Sequence, residues 1–432
     1  MSPTAFGSKG PHGEPRGERR GSIEIYADHA ATTPLAPEVL EAMRPYFGDQ
    51  FGNASSVHRR GEAARDAIQH ARAQVASLIG ATPEEIVFTA TGSEANNLAL
   101  RGALGTAAPG RRRLIVTAIE HPSVLETVRA LEREGAGLTV LPVDSDGLLD
   151  PDRLQAALAP DVALVSVMAV NNEIGVEQPI AELASRARAA GARFHTDAVQ
   201  AAGKRELSVT ESGVDLLSLA GHKLHGPLGA AALFVRRRVR LTPLVLGGHQ
   251  ERGRRAGTEN LPAIVGLGAA AERAWARLAA GGPARDEAMG ERLRTGLESL
   301  IPRARLNGHP IRRVRSIVNL SFEGVDGEAV LHELDRAGIT VSTGSACSAA
   351  SPGPSHVLMA LGLRPEDAHA SVRFSLGEEI AHEDVDTLLA TVPPIVARLR
   401  ALGAEAPVDA ESGASWTPIG ERGFEPPRGG RT

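Results

Sequence analysis

The chain has 432 residues, 42% hydrophobic and 23% charged, with a formal net charge of −5. That length suits roughly two or three folding units, and that charge gives no global field to gather nucleic acid or an anionic membrane. No apolar run is long enough to span a bilayer, and a single cysteine, Cys347, rules out an internal disulfide framework, so a reducing cytoplasm is the simplest compartment.

Residues 1–22 are Gly, Pro, Ser and charge, with no hydrophobic signal region, and read as a disordered tail. Residues 23–275 alternate short β-rich runs with helical stretches. The strand candidates are Glu85–Thr89, Leu114–Ala118, Leu138–Leu141, Ala163–Val170, Arg193–Thr196, Leu216–Leu219 and Ala231–Val235. Between them, Glu94–Leu104, Ser123–Glu134, Pro151–Ala157 and Ile180–Ala190 carry helical patterns. Strands apolar at consecutive positions are covered on both faces, so the alternation predicts an α/β fold with a mostly parallel central sheet and helices on both sides. After Gly266 a long alanine-rich helical stretch, a strand at Ser316–Phe322 and a helix at Glu328–Ala337 predict a smaller α+β unit over 276–402. Residues 403–432 read as a second disordered tail.

Ligands of parallel sheets lie at the carboxyl ends of the strands, and polar residues gather there. Thr91-Gly92-Ser93-Glu94, Glu120-His121, Asn171-Asn172-Glu173, Asp197-Ala198-Val199-Gln200 and Gly221-His222-Lys223 each follow a strand. A Gly-Ser turn opening a helix offers free amides and a hydroxyl to a phosphate, though alone it reads as an ordinary N-cap. Lys223 among glycines is either a solvated loop lysine or a partly buried amine able to form a Schiff base. Asp197 ends an apolar strand and needs a cationic partner, such as a pyridinium nitrogen or a structural Lys or Arg. His121 is either a proton carrier over a ring or a satisfied histidine at a strand end. His222 and His225 are a weaker, metal-binding option, because no third ligand follows and Gly226-Pro227 opposes a helix. Nucleotide fingerprints are absent. An amine, a carboxylate and a phosphate cradle at one sheet edge match the needs of a pyridoxal phosphate enzyme. Cys347, within Ser342-Thr343-Gly344-Ser345-Ala346-Cys347-Ser348, has small hydroxylic neighbours that describe an exposed loop, where a thiol can reach a partner.

Asp28-His29-Ala30-Ala31-Thr32-Thr33-Pro34, Glu120-His121, Asn171-Asn172-Glu173-Ile174-Gly175, His195-Thr196-Asp197-Ala198-Val199-Gln200, Gly221-His222-Lys223, Gly248-His249-Gln250-Glu251-Arg252-Gly253-Arg254-Arg255-Ala256-Gly257-Thr258 and Gly344-Ser345-Ala346-Cys347 together resemble the cysteine desulfurases of the NifS/IscS type, in the class-V aminotransferase family, from about Ile23 to Leu399. The resemblance implies a fold-type I pyridoxal 5'-phosphate enzyme, a homodimer that converts L-cysteine to L-alanine. The sulfur would pass as a persulfide on Cys347 to an iron–sulfur scaffold or another sulfur-acceptor protein, with no role for nucleic acid or membrane. By that resemblance Lys223 binds the cofactor aldehyde, Asp197 the pyridine nitrogen and Gln200 the ring hydroxyl, with His121 stacked on the ring. Gly92, Ser93 and His222 contact the phosphate, and Thr258 reaches the phosphate of the partner's cofactor. Asn172 and Arg373 hold the substrate carboxylate. Cys347 is the sulfur nucleophile and, against a scaffold, a transient iron–sulfur (metal) ligand. Ala220 departs from the family pattern of Ser or Thr before Gly-His-Lys, removing one phosphate contact. The competing readings are an aminotransferase, a selenocysteine lyase or a C–S lyase on the same scaffold, and a non-catalytic platform for assembly partners.

Overall fold

The computed structural model describes residues 24–343 and 353–405. Cys347 and the expected tail of residues 1–22 lie outside them. In chain order the elements are β1 (Ile25–Tyr26), α1 (Pro37–Met43), α2 (Arg59–Leu78), β2 (Ile86–Thr89), α3 (Gly92–Gly105), β3 (Arg113–Thr117), α4 (Pro122–Arg133), β4 (Gly137–Leu141), α5 (Pro151–Ala157), β5 (Val162–Ser166), α6 (Ile180–Ala189), β6 (Arg193–Asp197), α7 (Val209–Ser212), β7 (Leu216–Ala220) and β8 (Ala231–Val235). There follow α8 (Leu261–Ala279), α9 (Gly282–Leu300), β9 (Ala304–Leu306), β10 (Ile317–Phe322), α10 (Gly327–Arg336), β11 (Ile339–Thr340), α11 (His356–Ala360), α12 (Pro365–His369), β12 (Ser371–Ser375) and α13 (His382–Glu405).

A seven-stranded sheet in the order β2-β8-β7-β6-β5-β3-β4 forms the centre. The pairs β7–β6, β6–β5, β5–β3 and β3–β4 are parallel, while β8 is antiparallel to both β2 and β7. Only residues 221–230 separate β7 from β8, too few for a helical crossover, so the chain must return antiparallel. That short return carries Gly221-His222-Lys223. Successive side chains of a strand point to opposite faces. Thus Ile86 and Phe88 join the core beneath α2, α6 and α8, whereas Val87 joins the one beneath α3 and α4. Away from the edge strand β4 both faces are buried, which is why strands such as β5, β7 and β8 read as unbroken apolar runs. The β5 ladder ends at Ser166, short of the expected Val170. Beyond it Val167 N and Ala169 N still bond to His195 O and Asp197 O, and the chain then turns to bridge Val170 with Glu177.

A three-stranded antiparallel sheet, β12-β10-β9, packs with α9, α10 and α13 around a separate core. The edge expected between residues 275 and 276 falls inside α8, because alanine-rich helical periodicity continues unbroken there. Packing changes over at Gly281, which adopts φ 73° and ends α8, and glycine enters that left-handed conformation without steric cost. Helix α8 packs on α1 and α2, α9 on β9, β10 and α13. The first strand was expected with the large unit, yet β1 pairs parallel with β11, and Ile25 and Ala27 are buried in the second core. Helix α13 runs past residue 402 to Glu405, in keeping with the Ala, Leu and Glu of its last turn. Among the described residues no helix is long and apolar enough to cross a membrane.

Candidate active site

A cavity of about 380 Å³ opens at the carboxyl edge of the central sheet. After β2, Thr91 caps α3 by accepting from Glu94 N (3.0 Å), which leaves the first-turn amides of Gly92 and Ser93 beside the cavity. A helix N-terminus of this kind attracts a phosphate. After β3 come His121 and Ser123, after β5 Asn172, at the end of β6 Asp197 and Gln200, and after β7 His222 and Lys223. Arg373 enters from β12 of the smaller sheet. Ala220 lines the same wall, and a methyl added at Gly92 would sit 3.1 Å from Val199 Cγ2 and 3.5 Å from Ala220 Cβ.

Lys223 Nζ donates to the carbonyls of Ala30 (2.5 Å) and Ala31, so the Asp28–Pro34 segment positions the amine. Asp197 is 5% exposed and anchored through both oxygens: Val199 N donates to Oδ1 (3.0 Å) and Asn96 Nδ2 to Oδ2 (2.7 Å). Asn96 Nδ2 also donates to Ser123 Oγ (2.9 Å), which lies 2.8 Å from His121 Nδ1. Ser123 N points at the same Nδ1 (3.1 Å). A backbone amide can only donate, so Nδ1 is the acceptor and the neutral ring carries its proton on Nε2. Burial keeps His121 neutral, pushing its pKa down against the pull of Asp197, with Lys223 and His356 adding to the fall. His222 is driven to about 4 by burial and then by Lys223 and Lys204, so it offers a hydrogen bond rather than a charge.

Arg373 is 2% exposed. It pairs with Asp28 Oδ1 (2.7 Å) and donates to Asn172 O (2.9 Å), while its buried Nε has no hydrogen-bond partner among the described residues. Gln200 Nε2 donates to Ala30 O (2.8 Å). Thr258 is exposed and does not line this cavity. His222 and His225 separate: His222 faces the cavity, and His225 gathers with Glu378 and Glu379. Glu378 is already held by Arg273 and Arg277, which compete with any cation there.

Sequence reasoning missed Asn96, the link between Asp197 and His121. Its signal was an amide within the buried stripe of α3, between Ala95 and Leu98. It also gave no role to His195, fully buried between Ser166 Oγ (2.8 Å) and Ser218 Oγ (3.0 Å), where burial holds the imidazole near 4. Two buried carboxyls flank the site. Glu120 is raised to about 8 chiefly by burial. Glu173, beside Asn172, is raised to about 7 for the same reason and accepts from Ser355 Oγ (2.5 Å).

The donor set fits pyridoxal phosphate. Helix-terminal amides with the Ser93 hydroxyl and His222 suit the phosphate, an amine suits the aldehyde, and a doubly anchored carboxylate suits a protonated ring nitrogen. The class-V aminotransferase family matches residues 25–388. "Cysteine desulfurase 2" of Trichormus variabilis is 48% identical over 378 residues, 88% of this chain and 94% of that protein. "Cysteine desulfurase NifS" of Azotobacter vinelandii is 43% identical, covering 92% of this chain and 99% of its own length. A solved "NifS-like protein" superposes with a TM-score of 0.82 at 34% identity, covering 87% of this chain and all of that one.

Proposed function

The chain belongs to the class-V aminotransferase family, and from that premise we propose that it is a pyridoxal phosphate-dependent cysteine desulfurase. The observation that carries this reading is the delivery of Lys223, Asp197, His121 and the α3 N-terminus to one cavity, with Arg373 reaching in from the second sheet.

Gly92, Ser93 and His222 would hold the phosphate, Asp197 and Gln200 the ring, and Lys223 the aldehyde. Bound there, the cofactor supplies an electron sink beside the substrate Cα. Arg373 and Asn172 bind the L-cysteine carboxylate, which fixes the Cα–H bond relative to Lys223. The Lys223 amine would then be the base that takes the Cα proton. Asp197, held by Asn96 and Val199, keeps a proton at the ring nitrogen. The neutral His121, with its proton on Nε2, is placed to donate. Cys347 as thiolate would attack the substrate sulfur: an S–S bond forms as the C–S bond breaks, the electron pair of that bond stays on the substrate Cβ, and Cβ takes up a proton to become the methyl of the departing alanine. Cys347 lies five residues beyond Ser342, and Arg373 N donates to Ser342 O (2.6 Å). Five extended residues span at most roughly 17 Å, a reach that includes the cavity. The chain works as a homodimer in the cytoplasm, Thr258 serving the partner's cofactor. Its persulfide sulfur passes to a scaffold or other acceptor for iron–sulfur or related cofactor assembly, where Cys347 also serves as a transient cluster ligand.

The test is the visible spectrum of the purified protein before and after L-cysteine, with alanine quantified. Cys347→Ser keeps the cofactor band and loses alanine formation. Lys223→Ala loses the covalently fixed chromophore after borohydride and denaturation. Full turnover by the first variant, or an unchanged chromophore in the second, refutes the assignment.

A further inference from the structure

Behind Gln200 lies a second amine, four residues further along the loop that leaves β6. Lys204 Nζ is 3.4 Å from Gln200 Oε1. The other end of that amide, Nε2, donates to Ala30 O, and Ala30 O also accepts from Lys223 Nζ. One amide and one carbonyl therefore connect the two amines. Both also line a second, smaller cavity of about 50 Å³. The charged groups around Lys204 come from four other places: Arg205 beside it, Lys223 in the turn after β7, Arg277 on α8 and Asp286 on α9. Glu378, beyond β12, Arg273 on α8, Glu287 on α9, His225 and His29 make up the rest of the charged and titratable wall of this cavity. Asp286 is the only one of the four neighbours of opposite sign, and Arg277 already claims it at 2.6 Å.

We propose that Lys204 is a positioning residue that sets the proton affinity of the linkage between Lys223 and the cofactor aldehyde, while holding Gln200 in place. The inference rests on the proposed role of Lys223. Two like charges bridged by two polar groups oppose one another, so a cation at Lys204 disfavours a proton at the Lys223 linkage. The unprotonated linkage is then the more populated resting form, ready to take a proton from the incoming substrate ammonium. Burial first, and the Lys223 charge second, bring the Lys204 amine to about 7, so its charge changes within the working range.

The experiment is a pH titration of the cofactor's visible absorbance in the holoenzyme, without substrate. Lys204→Met removes the charge and should raise the midpoint of the band shift by about one pH unit. Lys204→Arg keeps the charge at every pH, whereas the lysine sheds part of it near 7, so its midpoint should match or fall below the wild type's. Lys204→Gln, which retains a polar contact to Gln200, should shift like the methionine variant and serves if the latter does not fold. A purely structural lysine predicts equal midpoints in all folded variants, and that result overturns the proposal. A wild-type protein with no band that borohydride fixes to Lys223 overturns the parent reading as well, which separates the two failures.

Discussion

Glu120 gives the sharpest quantitative prediction. Its side chain is fully buried; Thr117 Oγ1 (2.5 Å) and Met168 N (3.0 Å) donate to Oε1, and Oε2 has no partner among the described residues. Burial is the largest cause of its rise from 4.5 to about 8, and the nearby Asp197 charge adds to it. The folded chain thus holds a proton that the unfolded chain releases above pH 4.5. Below that pH both states are protonated and the group is neutral to folding; as pH climbs from 4.5 toward 8 the proton must be kept, and the group destabilises the fold increasingly. The gap of 8 − 4.5 = 3.5 units corresponds to a ceiling of about 5 kcal/mol, and relaxation around the ionised carboxylate lowers this to about 2–4 kcal/mol. Glu120→Gln keeps the acceptor oxygen and cannot ionise. Its new amide donor lacks a partner, but that cost is the same at every pH and drops out of the slope. Urea unfolding at pH 5.5 and 8.5, at fixed protein concentration, should show the wild type losing about 1–3 kcal/mol more than the variant across the interval, since part of the loss already falls below pH 5.5. Parallel losses in the two proteins would mean that the carboxyl is ionised in the fold, and the reasoning would fail.

Three further outcomes follow from the site. Asp28→Asn leaves the buried Arg373 guanidinium without its counter-charge; the fold should lose about 3–5 kcal/mol, and steady-state kinetics should show KM for L-cysteine rising more than kcat falls. Ser355→Ala strips the buried Glu173 of its hydroxyl donor and should cost about 1–3 kcal/mol in chemical denaturation. Gly92→Ala crowds Val199 Cγ2 at the phosphate end, so the variant should retain less cofactor after dialysis while its melting temperature changes little.

Most of the central strands were legible because burial on both faces writes consecutive apolar residues, and their polar ends marked one edge; the edge strand β4, partly exposed, was not written that way. What escaped the sequence depended on contacts between distant segments. The reversal of β8 lies in the shortness of the β7–β8 return rather than in its own residues, which look like any other buried strand. Lys223, Asp197 and His121 stood out as polar residues after apolar runs. Asn96 did not: its amide lies within the buried stripe of α3, but nothing in the sequence names Asp197 and Ser123 as its partners. The attachment of β1 to the second core was equally hidden: two residues of strand carry too little periodicity to name a partner 314 positions away, from Ile25 to Ile339. The place where packing passes from one core to the other was obscured because helical residues continue on both sides of Gly281.

The pairing of β1 with β11 has a consequence for biosynthesis. The carbonyls that orient Lys223 belong to Ala30 and Ala31, and that segment is fixed by Ala30 N to Ser375 Oγ and His29 N to Ser375 O. On a translating ribosome these early residues emerge roughly 20–70 s before their partners at 339 and 375, at typical elongation rates. The central sheet can form in that interval, with the Ala30–Ala31 segment not yet tied to Ser375. Competence to take up cofactor therefore arrives late, when the last strand of the small sheet closes over the first strand of the chain, and a nascent protein truncated before Ser375 should fold much of its bulk yet remain colourless.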